Sequence, residues 1–174
     1  AKLNAWLYSP KDYQVFQRQT KTKGKTTISG RTSVPCDYVE YQIIGKPISG
    51  KLPTKWNKLA VDKKTYAFTQ ETILPAGGWY RFEIHAIKNG KVVDKYIVDH
   101  FGIGEVFVGA GQSNSTNCGQ EATKETTGMV SSFNGIKWRI ANDPQWGAHD
   151  NTQGGSFWPA FGDALYKKYK VPIG

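Results

Sequence analysis

The strongest fold signal in the sequence is WYRFEIHAIKNGKVVDKYIVDHF (79–101). Two runs rich in β-branched and aromatic residues flank the dipeptide Asn89-Gly90, which is typical of a two-residue hairpin turn. Earlier runs of the same character are separated by turn residues: TTISG (26–30), DYVEYQII (37–44) and TYAFTQETI (65–73). We therefore predict a two-sheet antiparallel β-sandwich of the immunoglobulin or fibronectin type for residues 1–102.

The pattern changes after His100. The run EVFVGA (105–110) is continuously apolar, which is typical of a strand buried on both faces in a parallel sheet. After an irregular stretch, Ser156 is predicted to cap a helix with Pro159 in its first turn and lysines in its last. Its apolar face is predicted to comprise Trp158, Phe161, Leu165 and Tyr169.

Residues 171–174 resemble the start of a second strand. One buried strand and one helix cannot satisfy a parallel sheet, because its strands need neighbours and a helical layer on each face. Residues 103–174 therefore predict the first strand-loop-helix portion of an α/β domain that is incomplete in this chain. We expect the remainder of the same polypeptide, or a second chain, to complete the sheet.

The net charge of +9 lies entirely in the first hundred residues, which hold 17 basic and 8 acidic residues, against 6 and 6 afterwards. The lysines there are dispersed, which favours a solvated surface that protects sheet edges, with polyanion binding as the alternative. No nucleic-acid-binding motif accompanies them, so we predict no nucleic-acid partner. No run of 18 apolar residues occurs, so we predict no membrane span.

The two cysteines, Cys36 and Cys118, lie far apart and form no CxxC pair, so we predict no metal site and no cofactor. A single disulfide is arithmetically possible. Because cysteine is among the most buried residue types, we favour two buried free thiols.

The sequence Gly111-Gln112-Ser113-Asn114 follows the apolar run directly. In open α/β sheets, ligands bind beyond the carboxyl ends of the strands, so Ser113 is placed where a nucleophile would act. The hydrolase elbow G-x-S-x-G is not matched, because Ser115 stands at the fifth position. A purely structural turn is the alternative from these residues alone.

The segment GEVFVGAGQSNSTNCGQ (104–120) resembles the first block of SGNH-type carbohydrate esterases, in the sialate and xylan O-acetylesterase-like branch. Four other segments resemble the same group: PKDYQVFQR (10–18), LPAGGWYRFEI (74–84), KWRIANDP (137–144) and GGSFWPAFGDALYKKYKVPIG (154–174). The resemblance implies a flavodoxin-like SGNH domain that follows an accessory β-sandwich.

The resemblance also implies roles for individual residues. Ser113 matches the family nucleophile, and its backbone N–H would be one oxyanion-hole donor. Gln112 and Asn114 match the motif and shape the turn, whereas Asn117 would line the pocket. The family's second donor is a glycine N–H, for which Gly154 and Gly155 are the candidates. Its catalytic Asp-x-x-His is expected beyond residue 174.

The histidines and tryptophans remain to be assigned. His85 and His100 fall in predicted strands and are interpreted as structural, whereas His149, beside Asp150, is either a general base or a residue of the pocket rim. Trp138 and Trp146 flank Asp143-Pro144 in the irregular stretch near the serine and are candidates for sugar contact. Trp56 and Trp79 are predicted to anchor the sandwich core.

We therefore predict a secreted or periplasmic serine esterase that removes O-acetyl groups from an acetylated carbohydrate, its substrate. Ser113 would form the acyl-enzyme, and this chain alone would be inactive. The alternative is a non-catalytic glycan-binding or scaffolding β-sandwich protein.

Overall fold

The structure, a computed structural model, describes residues 6–147 and 152–174. In this part of the chain β-strands account for 45% and are arranged in several sheets with one α-helix, so the prediction of a β-rich fold is confirmed. The elements are β1 (Leu7–Ser9), β2 (Gln14–Gln17), β3 (Lys23–Arg31), β4 (Tyr38–Ile44), β5 (Asn57–Ala60), β6 (Ala67–Pro75), β7 (Gly77–Lys88), β8 (Lys91–Gly104), β9 (Ser131–Phe133), β10 (Trp138–Ile140) and α1 (Trp158–Tyr169).

The predicted hairpin is confirmed as β7 and β8, which pair antiparallel around Asn89-Gly90. Asn89 has φ 50° and Gly90 has φ 72°, a left-handed conformation that asparagine and glycine tolerate best. These two long strands form the middle of a five-stranded sheet with the order β2-β8-β7-β4-β5.

A three-stranded sheet, β1-β3-β6, faces the five-stranded sheet across a single apolar cluster. Alternate residues of β4 enter this cluster, because successive side chains of a strand point to opposite faces. Ile28 and Leu74 from the smaller sheet contribute to it, together with Phe82 and Phe101 from the larger one. All four are at most 1% exposed.

The prediction of purely antiparallel pairing is wrong at one edge, where β2 runs parallel to β8. A hydrogen bond directly before β2 sets this direction. The Tyr13 N–H donates to His100 O (2.6 Å), so β2 starts alongside the second half of β8 and follows it in the same direction.

Helix α1 has Pro159 in its first turn and Lys167 and Lys168 in its last, as predicted. The N-cap residue is Phe157, one position after the predicted Ser156. Ser156 Oγ still accepts a hydrogen bond from the N–H of Trp158, the first residue of the helix (3.3 Å). The predicted apolar face is only half-buried, and the buried residues of α1 are Pro159, Gly162 and Asp163. Gly162 lies against Val130, where a side chain on the helix would collide.

Both cysteines are free, and Cys36 is buried as predicted. The prediction of a buried Cys118 is wrong. It lies in an exposed loop, next to the equally exposed Gly119 and Gln120, and so is not covered by either core cluster.

The two-sheet part and the later residues are joined by several contacts. Arg18 forms an ion pair with Glu105 (2.6 Å), and Val171 belongs to the large apolar cluster. The predicted boundary at residue 102 falls within the last residues of β8. Among the described residues, no helix combines the length and the apolar character that are needed to cross a membrane.

Candidate active site

Residues 105–107 form a short parallel sheet with two later segments. The Glu105 N–H donates to Pro172 O (3.0 Å), and the Phe107 N–H donates to Gly174 O (2.9 Å). On the opposite side of residues 172–174, the Ser131 N–H donates to Ile173 O (2.8 Å). Ile173 pairs in parallel with Glu105 on one side and with Val130 on the other. Residues 172–174 therefore lie between the two other segments, as expected for the start of a second strand.

The prediction of a doubly buried strand over residues 105–110 is wrong, because Glu105 and Val106 are only half-buried and residues 107–110 are exposed. Phe107 is 41% exposed and Val108 is 91% exposed. The neighbouring segment 172–174 pairs only as far as Phe107, and within residues 6–147 and 152–174 no helix covers the side on which Val108 lies. Residues 107–110 are therefore exposed, because no strand or helix of the described residues covers that side of them.

Ser113 lies in a one-turn 3₁₀ helix, Ser113–Ser115, shortly after this parallel segment. The turn is closed by hydrogen bonds from the Ser115 N–H and Oγ to Gln112 O (2.9 and 2.8 Å). Trp158 Nε1 donates to Ser115 O (3.1 Å) and ties the turn to α1. Gln112, Ser113 and Asn114 are all exposed, so the serine hydroxyl is accessible.

Asn117, in the loop that follows the Ser113 turn, is buried and only 2% exposed. Its Nδ2 donates to Gln145 O (2.6 Å) and Thr152 O (3.2 Å), and its Oδ1 accepts the Gln145 N–H (2.6 Å). Three backbone groups thus occupy the carboxamide. Although Asn117 borders the groove described below, its polar atoms position the loop.

The two glycines proposed as oxyanion donors already donate their N–H groups elsewhere. The Gly154 N–H donates to Asn117 O (3.0 Å), and the Gly155 N–H donates to Gly119 O (2.9 Å). Both glycines therefore fasten the segment before α1 to the loop after Ser113. In this arrangement neither amide is free to bind an oxyanion.

Asp143 connects three loops of the same region. Its carboxylate accepts hydrogen bonds from the N–H and Oγ of Thr123, from the N–H and Oγ of Ser156, and from Gln145 Nε2. Burial raises the pKa of this carboxyl, but the hydrogen bonds outweigh it and hold the pKa below its ordinary value. Asp143 therefore acts as an ionised anchor for the loops.

An open groove of about 450 Å³ lies beside the Ser113 turn. Ser115 and Thr116 form part of its wall, whereas Ser113 is not among its lining residues. The predicted sugar-contact residues Trp138 and Trp146 both line it. Its other aromatic residues are Phe107, Phe133, Trp158 and Phe161.

The aromatic residues of the groove are fixed by defined contacts. Trp138 stacks on Phe133 (centroids 4.9 Å apart), and the Arg139 guanidinium lies 4.9 Å from the ring centre of Trp146. A second depression of about 530 Å³, lined by residues that include Trp6 and Arg31, lies on the two-sheet part and takes no part in this site.

The histidines that the structure describes lie on the five-stranded sheet, as predicted. His85 is within 3.3 Å of Glu83 and packs against Trp56, whereas His100 contacts Asp12 (3.1 Å). Neither contacts the Ser113 turn. His149 and Asp150, the other candidate pair, lie outside the described residues.

The predicted core role of Trp56 is wrong, because the residue is 37% exposed. Its ring packs against the ring of His85 (centroids 4.3 Å apart) on the five-stranded sheet. Trp56 therefore contacts the sheet without entering the apolar cluster between the two sheets. Trp79 is half-buried, and its Nε1 donates to Gly128 O (2.6 Å), which ties the sheet to the loop before β9.

Sequence reasoning missed two structural carboxylates, Asp143 and Asp163. Asp163 accepts four hydrogen bonds from Thr126 and Thr127. The sequence carried no signal for it, because Asp163 lies on the side of the helix opposite the predicted apolar face, whereas the structure buries Asp163 together with Pro159 and Gly162. A buried charged residue requires hydrogen-bonding partners.

Comparison of the chain with protein families, with curated proteins and with solved structures found no match.

Proposed function

We propose that the protein is a serine carbohydrate esterase, in which Ser113 attacks the carbonyl carbon of an O-acetyl ester on a glycan. The observation that carries this proposal is the placement of an exposed serine in a tight turn shortly after a parallel-paired segment. Ligand sites of α/β sheets lie beyond the carboxyl ends of their strands. The turn is fastened on both sides, by Trp158 and by Asn117, which keeps the nucleophile in place.

The chemistry proceeds through an acyl-enzyme. As the Ser113 Oγ–carbonyl bond forms, the hydroxyl proton passes to a base and the negative charge develops on the former carbonyl oxygen. The Ser113 N–H, which has no hydrogen-bond partner among the described residues, would donate to that oxygen. As the ester bond between the carbonyl carbon and the sugar oxygen breaks, the base gives its proton to that oxygen, and acetyl-Ser113 remains. Water, which gives a proton to the same base, then attacks the acetyl group, and acetate leaves as the proton returns to Ser113 Oγ.

The base has to be a histidine other than His85 and His100, because these two lie on the five-stranded sheet. His149 is one choice, and the histidine of the Asp-x-x-His that the resemblance implies is the other. The proposed esterase would combine an immunoglobulin- or fibronectin-like accessory domain with residues of an SGNH domain, and it would be secreted or periplasmic.

The proposal is tested by covalent labelling with a fluorophosphonate, followed by mass spectrometry of the peptides. We expect the label on Ser113 and its loss in the Ser113→Ala variant. Ser115→Ala is the matched control, because Ser115 lies in the same turn but its hydroxyl donates to Gln112 O. A label that persists in Ser113→Ala, or that sits on Ser115, would contradict the assignment of the nucleophile.

A non-catalytic glycan-binding protein is the second candidate, and the aromatic groove favours it. Aromatic faces stack on the apolar faces of sugar rings, and the groove presents Trp138 and Trp146 together. We expect Trp146→Ala to weaken binding of an acetylated xylan oligosaccharide by at least about tenfold, which corresponds to roughly 1.4 kcal/mol.

Titration calorimetry measures this binding. Trp56→Ala is the matched control, since Trp56 is also partly exposed but lies on the five-stranded sheet. Equal losses in the two variants, or no loss in Trp146→Ala, would reject the groove as the glycan site. Binding without Ser113 labelling would favour the non-catalytic reading.

A further inference from the structure

We propose that the depression of about 530 Å³ on the two-sheet part binds an acidic sugar, a pyranose ring that carries a carboxylate. The depression lies where the loop after β3 meets the loop before β6, next to β1. Its volume is in the range of about 300–1,000 Å³ that is typical of small-molecule sites. The inference goes beyond the proposed esterase, because it involves neither Ser113 nor the aromatic groove.

Two cationic side chains line the depression, Arg31 at the end of β3 and Lys64 in the turn before β6. Arg31 Nε donates to Thr65 O (2.9 Å), which fixes the plane of the guanidinium. Neither the two terminal nitrogens of Arg31 nor Lys64 Nζ forms a hydrogen bond or an ion pair with the described residues. The free edge of a planar guanidinium can donate two parallel hydrogen bonds to one carboxylate.

The positive charge of this pair is only partly compensated. In the part of the chain that the structure describes, no acidic side chain lines the depression. Asp62 is close in sequence, but its Oδ1 accepts hydrogen bonds from the Lys64 N–H (2.9 Å) and from the N–H and Oγ1 of Thr65 (2.7 and 2.9 Å). That carboxylate therefore shapes the turn that carries Lys64. The remaining positive charge attracts an anion to the depression.

Aromatic side chains provide a surface for the sugar ring. Tyr8 and Tyr66 line the depression, and Tyr8 is exposed whereas Tyr66 is half-buried. Trp6 also lines it, and its buried ring is fixed by an edge-on contact with Phe68 (centroids 5.9 Å apart). Such rings combine an apolar body with a polar group, so they pack on the apolar face of a sugar and hydrogen-bond to its hydroxyls.

Tyr66 has an unusual backbone conformation for a tyrosine. Its φ is 57°, in the left-handed region that glycine and asparagine tolerate best. Two hydrogen bonds hold it there, because its N–H donates to Asp62 O (2.8 Å) and its C=O accepts the Thr32 N–H (3.2 Å). Disfavoured backbone conformations are concentrated at ligand sites. A tyrosine held in this conformation at the wall of a cationic depression supports a binding role.

The composition of the lining favours an acidic sugar over other anions. Asn, Gln, Asp and Glu are among the residues that read the edges of nucleic-acid bases, and among the described residues none of these types lines the depression. Ser33 and the two tyrosines instead offer hydroxyl groups, which suit the hydroxyls of a sugar. An inorganic anion such as phosphate would leave the aromatic rings without a partner.

Titration calorimetry of the 174-residue protein tests the proposal, with trigalacturonate and its methyl ester as the two ligands. The ester has the same rings without the negative charges. We expect trigalacturonate to bind at least about tenfold more tightly than the ester. Arg31→Gln should weaken the binding of trigalacturonate by at least about tenfold, and Lys64→Gln by about fivefold. Lys64→Gln keeps the test independent of folding, because the Lys64 ammonium contacts no partner among the described residues.

Lys46→Gln is the matched control, because it removes the same charge from an exposed lysine that follows the other end of β4. We expect it to bind trigalacturonate as wild type does. Equal losses in Lys46→Gln and Lys64→Gln would overturn the proposal, since the binding would then be general charge attraction. Three other results would also overturn it: no preference for trigalacturonate over its ester, tighter binding of adenosine monophosphate, or a loss in Trp146→Ala instead of Arg31→Gln. Ser113→Ala should leave this binding unchanged, so failure of the esterase proposal is seen separately.

Discussion

Replacing Asp163 by alanine is expected to lower the free energy of unfolding by about 3 kcal/mol. The carboxylate lies on the buried face of α1 and is 6% exposed. It accepts hydrogen bonds from Thr126 N–H and Oγ1 (2.8 and 2.7 Å) and from Thr127 N–H and Oγ1 (3.2 and 2.7 Å). Alanine removes the acceptor of all four hydrogen bonds to a charged group, each of which contributes more than a neutral hydrogen bond. Because Thr126 is exposed and Thr127 is half-buried, water replaces only part of this loss.

The loss is expected to depend on pH. Burial raises the pKa of Asp163, but the hydrogen bonds from Thr126 and Thr127 outweigh it and hold the pKa below its ordinary value. A group with a lowered folded-state pKa stabilises the protein above its unfolded pKa of about 3.9, and this contribution disappears as the pH falls through the folded-state pKa. The difference between wild type and Asp163→Ala should therefore shrink in acid.

Urea denaturation at neutral and acidic pH measures this effect. Asp62→Ala is the matched control, since Asp62 also accepts several hydrogen bonds but lies exposed in a turn, so its removal should cost less. Glu125 also contacts Thr127 (3.3 Å), and Glu125→Gln shows whether that carboxylate accounts for the titration. A pH-independent difference between wild type and Asp163→Ala would refute the prediction.

The two-sheet part could be predicted from sequence because its signals are local. Asn89-Gly90 specifies its own hairpin turn, and the alternation in β4 specifies which side chains face the core. The parallel edge strand β2 could not be predicted in this way. Its pairing with β8 joins residues that are nearly ninety positions apart, and nothing in QVFQ (14–17) identifies that partner.

The site region was only partly predictable for a related reason. The apolar run at 105–110 predicts a buried strand, but only residues 105–107 pair with a neighbouring segment. Burial depends on neighbours that the run does not encode, and Val108 is exposed. Asn117 is predicted from the sequence to line the pocket, yet only the structure shows that Gln145 and Thr152 occupy its carboxamide. Polar networks between distant loops carry no periodic signal in the sequence.

Replacing Asn117 by alanine is the other large effect that we expect, with a loss of about 3 kcal/mol in the free energy of unfolding. Two backbone carbonyls and one N–H would lose their partners inside the protein. Because the loop after Ser113 depends on this side chain, fluorophosphonate labelling of Ser113 should also fall. Asn114→Ala is the matched control, since Asn114 is exposed in the same loop and should leave stability unchanged.

The Asn117→Asp variant separates the shape of this side chain from its hydrogen bonds. A carboxylate keeps the acceptor for the Gln145 N–H but faces the carbonyl oxygens of Gln145 and Thr152 without a proton to donate. Burial and these oxygens would raise its folded-state pKa, so the variant should be least stable at neutral pH and recover stability as the pH falls toward about 4. This is the opposite direction to the acid dependence expected from Asp163. Urea denaturation of wild type and Asn117→Asp across the same pH range gives the difference between them, in which the contribution of Asp163 cancels. A difference that grows as the pH falls would contradict the role assigned to the Asn117 carboxamide.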